Sequence, residues 1–553
     1  MRLTGSALTV ARRLAETPAG VRLLRRKIFA DYGIDALLDL PADKRHPLAV
    51  HGGPLEQHRR RGWRGADLEV PTPPPQRTTI ADLHRAYRSG QTTPVEVVDQ
   101  LRERIDESAF GASSFSPYSC LDFAKARQDA EASTERFRDG EPLGRLDGVP
   151  IPVKDHFLMA GKPTRCGTAY LDDIADVDAH LVATLRDAGA LLYAKTHTTE
   201  WGMDPCGFSE HVAMPRNPYD RDCGAGGSST GTAVAVALGD APVGIGSDGG
   251  GSIRIPSAVN GLFGIKPTLV RIGRTGDLFG SSSVSVSGPI GSSTADLVEF
   301  MGVAATVDDP NDPTRRWGPN QRDLADRWRR ALGRGVDGCR IGIPRAEFDD
   351  LDATLRGPTI DALHRLEDDG ATLVDVDIDL LAHAPAIGTL TIGLETMANL
   401  EDDLRDHPDR FSDSLRMSMA MLRSVDASTF LAAQRTRAAL RHALRKVLDD
   451  VDLLALPTTR TTAVDYPLCL DGTPIADDAA IRAMTRFTFL ANVTGLPAGS
   501  VPVARRDGLP FGLQFVAGAW DEASIFAAMA HAERQGWARV TPPADYRSPL
   551  SSR

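Results

Sequence analysis

Cysteine is scarce and scattered. The six residues in 553 (Cys120, Cys166, Cys206, Cys223, Cys339 and Cys469) form no CxxC pair, and no histidine stands at zinc-finger spacing. That usage gives no sign of a disulfide framework or a structural metal, and it suits a reducing, cytoplasmic setting. Positive charge is in deficit, with 63 Lys+Arg against 74 Asp+Glu for a net −11. A deficit argues against non-specific nucleic-acid binding, which needs clustered cations to neutralise phosphates. No apolar run reaches the roughly 18 residues of a membrane span. The richest, Thr232 to Ile245, is broken by Gly239 and Asp240 and reads as a buried helix followed by a turn. The N-terminus lacks an apolar core, and Arg12 and Arg13 fall in its middle, so no signal peptide is expected. No repeat of fixed period is found. What remains is an ordinary globular composition, 42% hydrophobic and 25% charged, in a chain long enough to bury a large core.

Residues 1–75 differ from the rest. Val10, Leu14, Val21, Leu24 and Ile28 fall near helical spacing, with Arg22, Arg25, Arg26 and Lys27 between them. A basic amphipathic helix can lie on a membrane surface. The shortness of the stripe and the nearby Asp31, Asp35 and Asp39 favour packing on the same domain or on a sister subunit. Pro71, Pro73, Pro74 and Pro75 then read as a stiff connector, so residues 1–75 are expected to be a helical extension with a Pro-rich linker. From Ile80 the pattern becomes regular. Thr78-Thr79 and Thr92-Thr93-Pro94 each start a helix. Short apolar runs (GVPIPVKD, ALLYAKT, APVGIGSD, CRIGIP, ATLVDVDI, DLLALPT, GSVPVA) then alternate with helical segments. That interleaving predicts an α/β fold around a largely buried sheet, with residues 76–553 as one domain.

Three segments stand apart. In LDGVPIPVKD an apolar strand ends in Lys154, either a strand-end lysine reaching solvent or, if buried, a depressed amine available as a base. In GAGGSSTG two serines stand at the mouth of an Ala/Val helix. Ser228 or Ser229 could simply cap that helix, and a Walker loop is ruled out because no Lys-Ser/Thr pair follows the glycines. In GSDGGGSIRIP three glycines precede Ser252, leaving backbone N–H groups unshielded beside a hydroxyl. That is the form of an oxyanion hole, here Gly249, Gly250 and Gly251, around its own nucleophile. Asp248 and Arg254 are read as supporting each other and the loop. Ser252 needs a base, and His156 is the only histidine in these segments, so a lysine–serine relay is the available alternative.

These texts, with GSDGGGSIRIPSAVNGLFGIKPT in full, LPTT, FTFLANVTGLPAGSVPV and GLPFGLQFVAGAWDEASIFAAM, resemble the amidase signature family of Ser-cisSer-Lys hydrolases from about Ile80 to Trp537. The spacing agrees, with 74 residues from Lys154 to Ser228 and 24 from Ser228 to Ser252. The resemblance implies the amidase signature fold, a large mixed central β-sheet covered by helices on both faces. It implies Ser252 as nucleophile, Ser228 as a bridging serine on a cis peptide, Lys154 as base and Ser229 as a supporting donor. Ser247 stands where the family usually has threonine, Gly249 fills its variable place, and Thr230 stands where glycine is common. These departures are expected to alter the rim and leave the triad untouched. Met203 and Asp204 in TTEWGMDPCG are candidate substrate contacts or plain loop residues. Met417, Met419 and Met421, with Leu415 and Leu422, line either an adaptable channel or a buried helix.

The expected activity is hydrolysis of a carboxylic amide through an acyl-enzyme, with anilides, esters and carbamates open to the same chemistry. The alternatives are the A subunit of a glutamine-dependent tRNA amidotransferase and a non-catalytic scaffold with the same fold. No cofactor or metal is expected. The expected partner is a small-molecule amide, with no nucleic acid and no membrane span, and a homodimer is one candidate assembly.

Overall fold

A computed structural model describes residues 2–45, 63, 76–109, 116–278, 280–319, 323–470 and 472–550. The expected linker through Pro71–Pro75 lies outside the described residues. The described residues of the N-terminal region include the helices α1 (Gly5–Ala15), α2 (Pro18–Asp31) and α3 (Ile34–Leu38). Residues Arg2–Thr4 pair antiparallel with Ile475–Asp477. Within α1 the apolar stripe read from the sequence is not the packed face: Val10 and Leu14 are exposed, whereas Leu8, Arg12 and Ala15 are buried. Farther along the stripe Val21 is half-buried, and the Leu24 and Ile28 side chains lie outside what the structure describes. Arg12 goes inside because Asp413 lies 2.8 Å and Glu16 2.7 Å from its guanidinium. A buried arginine with two carboxylate partners is tolerable where an unpaired one is not.

Among the described residues, eleven strands form one mixed sheet. They are β1 (Tyr118–Leu121), β2 (Val153–Lys154), β3 (Ala194–Thr196), β4 (Val243–Asp248), β5 (Phe263–Lys266), β6 (Val286–Gly291), β7 (Arg340–Ile343), β8 (Thr372–Asp375), β9 (Leu453–Pro457), β10 (Ala498–Arg506) and β11 (Leu509–Ala517). Their spatial order is β8-β7-β9-β11-β10-β5-β6-β4-β2-β3-β1. Alternate side chains of β9 feed two cores: Leu453 and Ala455 enter one, Leu454 and Leu456 the other. A sheet buried on both faces reads as continuous apolar runs rather than alternation, which is why those runs were legible. Helices cover both faces, as expected.

The helices that bear on the site are α4 (Thr230–Leu238), α5 (Arg254–Val259), α6 (Ala384–Asn399), α7 (Asp413–Leu422), α8 (Ala427–Leu448), α9 (Asp478–Thr485) and α10 (Phe489–Thr494). The α2 and α3 residues Phe29, Ile34 and Leu37 share one core with α6, α8 and α10. Thr79 caps the helix Ile80–Ser89 in a reciprocal capping box with Asp82, and Pro94 opens the helix that follows. Ser229 stands at the start of α4 but makes no side-chain capping bond.

Candidate active site

Strands β2 and β4 are adjacent and parallel, with Val153 opposite Ile245. Their C-terminal ends therefore meet, which sets Lys154 beside Ser247. Lys154 is fully buried. Its Nζ lies 2.7 Å from Ser228 Oγ and 2.8 Å from Ser247 Oγ. Burial pushes its pKa down to about 7, against the opposing pull of Asp248 and Cys166. The Gly227–Ser228 peptide is cis. The sequence expectation that Ser247 alters only the rim is corrected: its hydroxyl touches the lysine.

Ser229 ties the segments together through backbone. Its hydroxyl donates to Ser247 O at 3.2 Å, and its N–H donates to Ser252 O at 3.3 Å. Ser252 lies at the pocket surface, 9% exposed. Its hydroxyl has no hydrogen-bond partner among the described residues. Gly202 packs against both the His156 ring and the Ser228 hydroxyl, where a Cβ would come within 2.9 and 3.1 Å, so this wall has no room for a side chain. His156 is buried with neither ring nitrogen hydrogen-bonded, and burial together with Lys154 and Lys195 holds it neutral.

Asp248 organises the glycine turn. It accepts from Gly251 N–H at 2.8 Å and from Ile253 N–H at 3.2 Å, and Arg254 grips both its oxygens at 3.0 Å. Burial alone would raise this carboxyl, but Arg254 and Asn492 hold it at about 2. Arg254 also donates to Thr488 O, Gln514 Oε1 and Asn492 Oδ1 at 3.0, 2.8 and 2.6 Å. Asp248 and Arg254 thus support each other and the loop, as the sequence suggested. Gly251 is a correction. Its N–H is taken by Asp248, and its φ of 127° makes it the turn rather than a donor. The N–H groups of Gly249, Gly250 and Ser252 have no partner among the described residues. Ser252 N–H is a donor that the sequence reading missed.

Above Ser252 and Gly250 a pocket encloses about 950 Å³ of space, its open mouth included. Of the two candidates in TTEWGMDPCG, Met203 lines it. Asp204 does not: its carboxylate accepts N–H bonds from Cys206, Gly207 and Phe208 at 2.8, 2.9 and 3.1 Å, holding a turn. The methionine segment divides. Met421 and Leu422 face the pocket, Met417 packs against Leu8 and Ala15 of α1, and Met419 against Leu404 and Phe411. Three lining residues unforeseen from sequence are Phe29, Tyr32 and Ile34. Nothing in the sequence around them signals a pocket, because the contact spans hundreds of residues. Among the described residues no group of three or more His, Cys, Asp and Glu side chains is set to hold a metal ion, and no helix is long and apolar enough to cross a membrane.

A family model described as Amidase matches residues 96–526. A fatty acid amide hydrolase of Medicago truncatula is 32% identical over 461 residues, covering 82% of this chain and 76% of that protein. The A subunit of the glutamyl-tRNA(Gln) amidotransferase of Halorhodospira halophila is 32% identical over 473 residues, covering 81% of this chain and 95% of that protein. Among solved structures, one described as an amidase is 30% identical with a TM-score of 0.72, covering 83% of this chain and all of that one.

Proposed function

The chain belongs to the amidase family and is an amide-hydrolysing enzyme, and we propose that it cleaves an uncharged, apolar carboxylic amide through a Ser252–Ser228–Lys154 relay. The observation that carries this reading is Lys154 Nζ, fully buried and 2.7 Å from Ser228 Oγ, with its pKa lowered by burial to about 7. Near neutral pH a large share of that amine is unprotonated and able to take a proton.

In the neutral state the lysine donates one N–H to Ser247 Oγ and accepts the Ser228 proton. Ser228 in turn takes the proton of Ser252 as that oxygen attacks the amide carbon. The carbonyl oxygen becomes an oxyanion, facing the unpaired N–H groups of Gly249, Gly250 and Ser252. The C–N bond breaks as the relay returns the proton to the departing amine. Water then attacks the Ser252 ester along the same relay, releasing the carboxylic acid. Residues 76–553 carry these groups.

The relatives named above include both a fatty acid amide hydrolase and a component of an amidotransferase. None of the residues lining this pocket is charged. The ammonium and carboxylate of glutamine would be desolvated there without partners, at a cost an alkyl or aryl amide does not incur. The test is amine release by the purified chain from alkyl and aryl amides, beside ammonia release from glutamine. Turnover of the amides by the chain on its own is expected. Glutamine turnover that appears only with partner subunits would overturn the reading.

A further inference from the structure

We infer that the N-terminal segment Phe29–Ile34, which lies outside the family match, is the end wall of the substrate pocket and sets the length of the apolar group the enzyme accepts. The inference rests on the reading that the pocket above Ser252 is where the amide binds. The family match begins at residue 96, yet Phe29, Tyr32 and Ile34 line the same pocket as Gly250 and Ser252.

The segment is held firmly enough to be a wall. Phe29 and Ile34 are 4% and 2% exposed. The strand pairing of Leu3 with Ala476 anchors the chain's start just before α9, and α9 contributes Ile481 and Thr485 to the pocket. The contacts of Arg12 with Asp413, and of Arg416 with Glu16 at 2.7 Å, fasten α1 to α7, which carries Met421 and Leu422 to the same pocket. The Tyr32 hydroxyl donates to Asp478 Oδ1 at 3.3 Å, and the Arg482 guanidinium stands 5.3 Å from its ring. Tyr32 therefore spends its polar atom away from the cavity, leaving ring and aliphatic surface to face the substrate.

An apolar wall on a closed end has a simple consequence. Each added methylene gains affinity until the chain reaches the wall, and then the gain stops or reverses. The ligand class is a straight-chain or aryl amide without charge on the arm that enters this pocket.

The test measures dissociation constants of straight-chain primary amides, from acetamide upward, for the full-length Ser252→Ala protein, in that background alone and with Phe29→Ala added. This binding series does not depend on which residue performs the chemistry. A parallel series of acyl p-nitroanilides measures kcat/KM in the Ser252-bearing protein with and without Phe29→Ala. In the parent, affinity is expected to rise up to about fourfold per methylene and then break at one chain length. Phe29→Ala is expected to move that break to longer chains in both series. Ile34→Val, a one-methyl truncation, is the second variant should Phe29→Ala fail to fold, and it should move the break the same way by less. A break at the same length in parent and variants would overturn the inference. Loss of the hydrolytic reading would appear separately, as turnover that survives Ser252→Ala.

Discussion

The floor and the roof of the pocket are built on opposite terms. On the floor, Lys154, Ser228, Ser247, Asp248 and Arg254 are joined by short hydrogen bonds, and Arg254 alone reaches four other residues. On the roof, Phe29, Ile34, Ile392 and Met421 present carbon, and direction comes only from shape. Buried polar groups are costly unless satisfied, so the floor admits one arrangement and tolerates little change. Apolar packing tolerates substitution of similar volume, so the roof can vary without disturbing the chemistry beneath it. The floor lies within the family match, and part of the roof lies outside it.

That contrast can be broken most severely at the nucleophile. Ser252→Ala should lower kcat by at least about ten-thousandfold with thermal stability unchanged, since the residue lies at the surface of the pocket. Lys154→Ala should cost roughly a thousandfold, and Lys154→Arg should not rescue it, because guanidinium stays charged. The pH profile sharpens the point. With the lysine pKa at about 7, the competent neutral amine dominates above that pH, and kcat/KM should fall tenfold per unit below it. Asp248→Asn attacks the floor's scaffold instead. It leaves the Arg254 charge buried and uncompensated, which should cost about 3–5 kcal/mol of stability, read as a lowered Tm. Ser247→Ala removes one hydrogen bond to the lysine and should cost about tenfold in kcat/KM. It should also move the acid limb below pH 7, because the lost bond favoured the charged amine, and Ser247→Thr should restore both. The smallest expected effect is on the roof, where Phe29→Ala should redirect chain-length preference and leave the acid limb in place.

Sequence legibility followed the same divide. The apolar runs at β2, β3, β4, β7, β9 and β10 were readable because a doubly buried strand is a continuous hydrophobic string. β8, an edge strand with Leu373 and Val374 half-buried, was read from its β-branched run. β6 was not, because VSGPIG carries two glycines and a proline that read as a turn. β1 at the sheet edge, with Leu121 exposed, has too weak a pattern to stand out. On the floor, Lys154, Ser228 and Ser252 stood in segments that the sequence singled out, and the family resemblance supplied their roles. The fold brings Lys154 to Ser228 and ties the Ser252 segment to Ser229 through backbone. Ser247 was read as a rim residue, since only the parallel pairing of β2 and β4 brings its hydroxyl to the lysine. Gly251 could not be told from Gly249 and Gly250 by sequence, because which N–H is spent depends on where the Asp248 side chain turns. On the roof, the stripe of Val10 and Leu14 pointed the wrong way, as Arg12 outcompetes them for the interior through a carboxylate 401 residues distant.

The central claim is that Ser252 is acylated through this relay. Rapid acid quench of the enzyme during turnover of a slow aryl ester, followed by peptide mapping, tests it directly. The account predicts one added acyl group on the peptide containing Ser252, absent in Lys154→Ala over the same interval at pH 7. An acyl group on any other residue, or full turnover with Ser252 never modified, would contradict it.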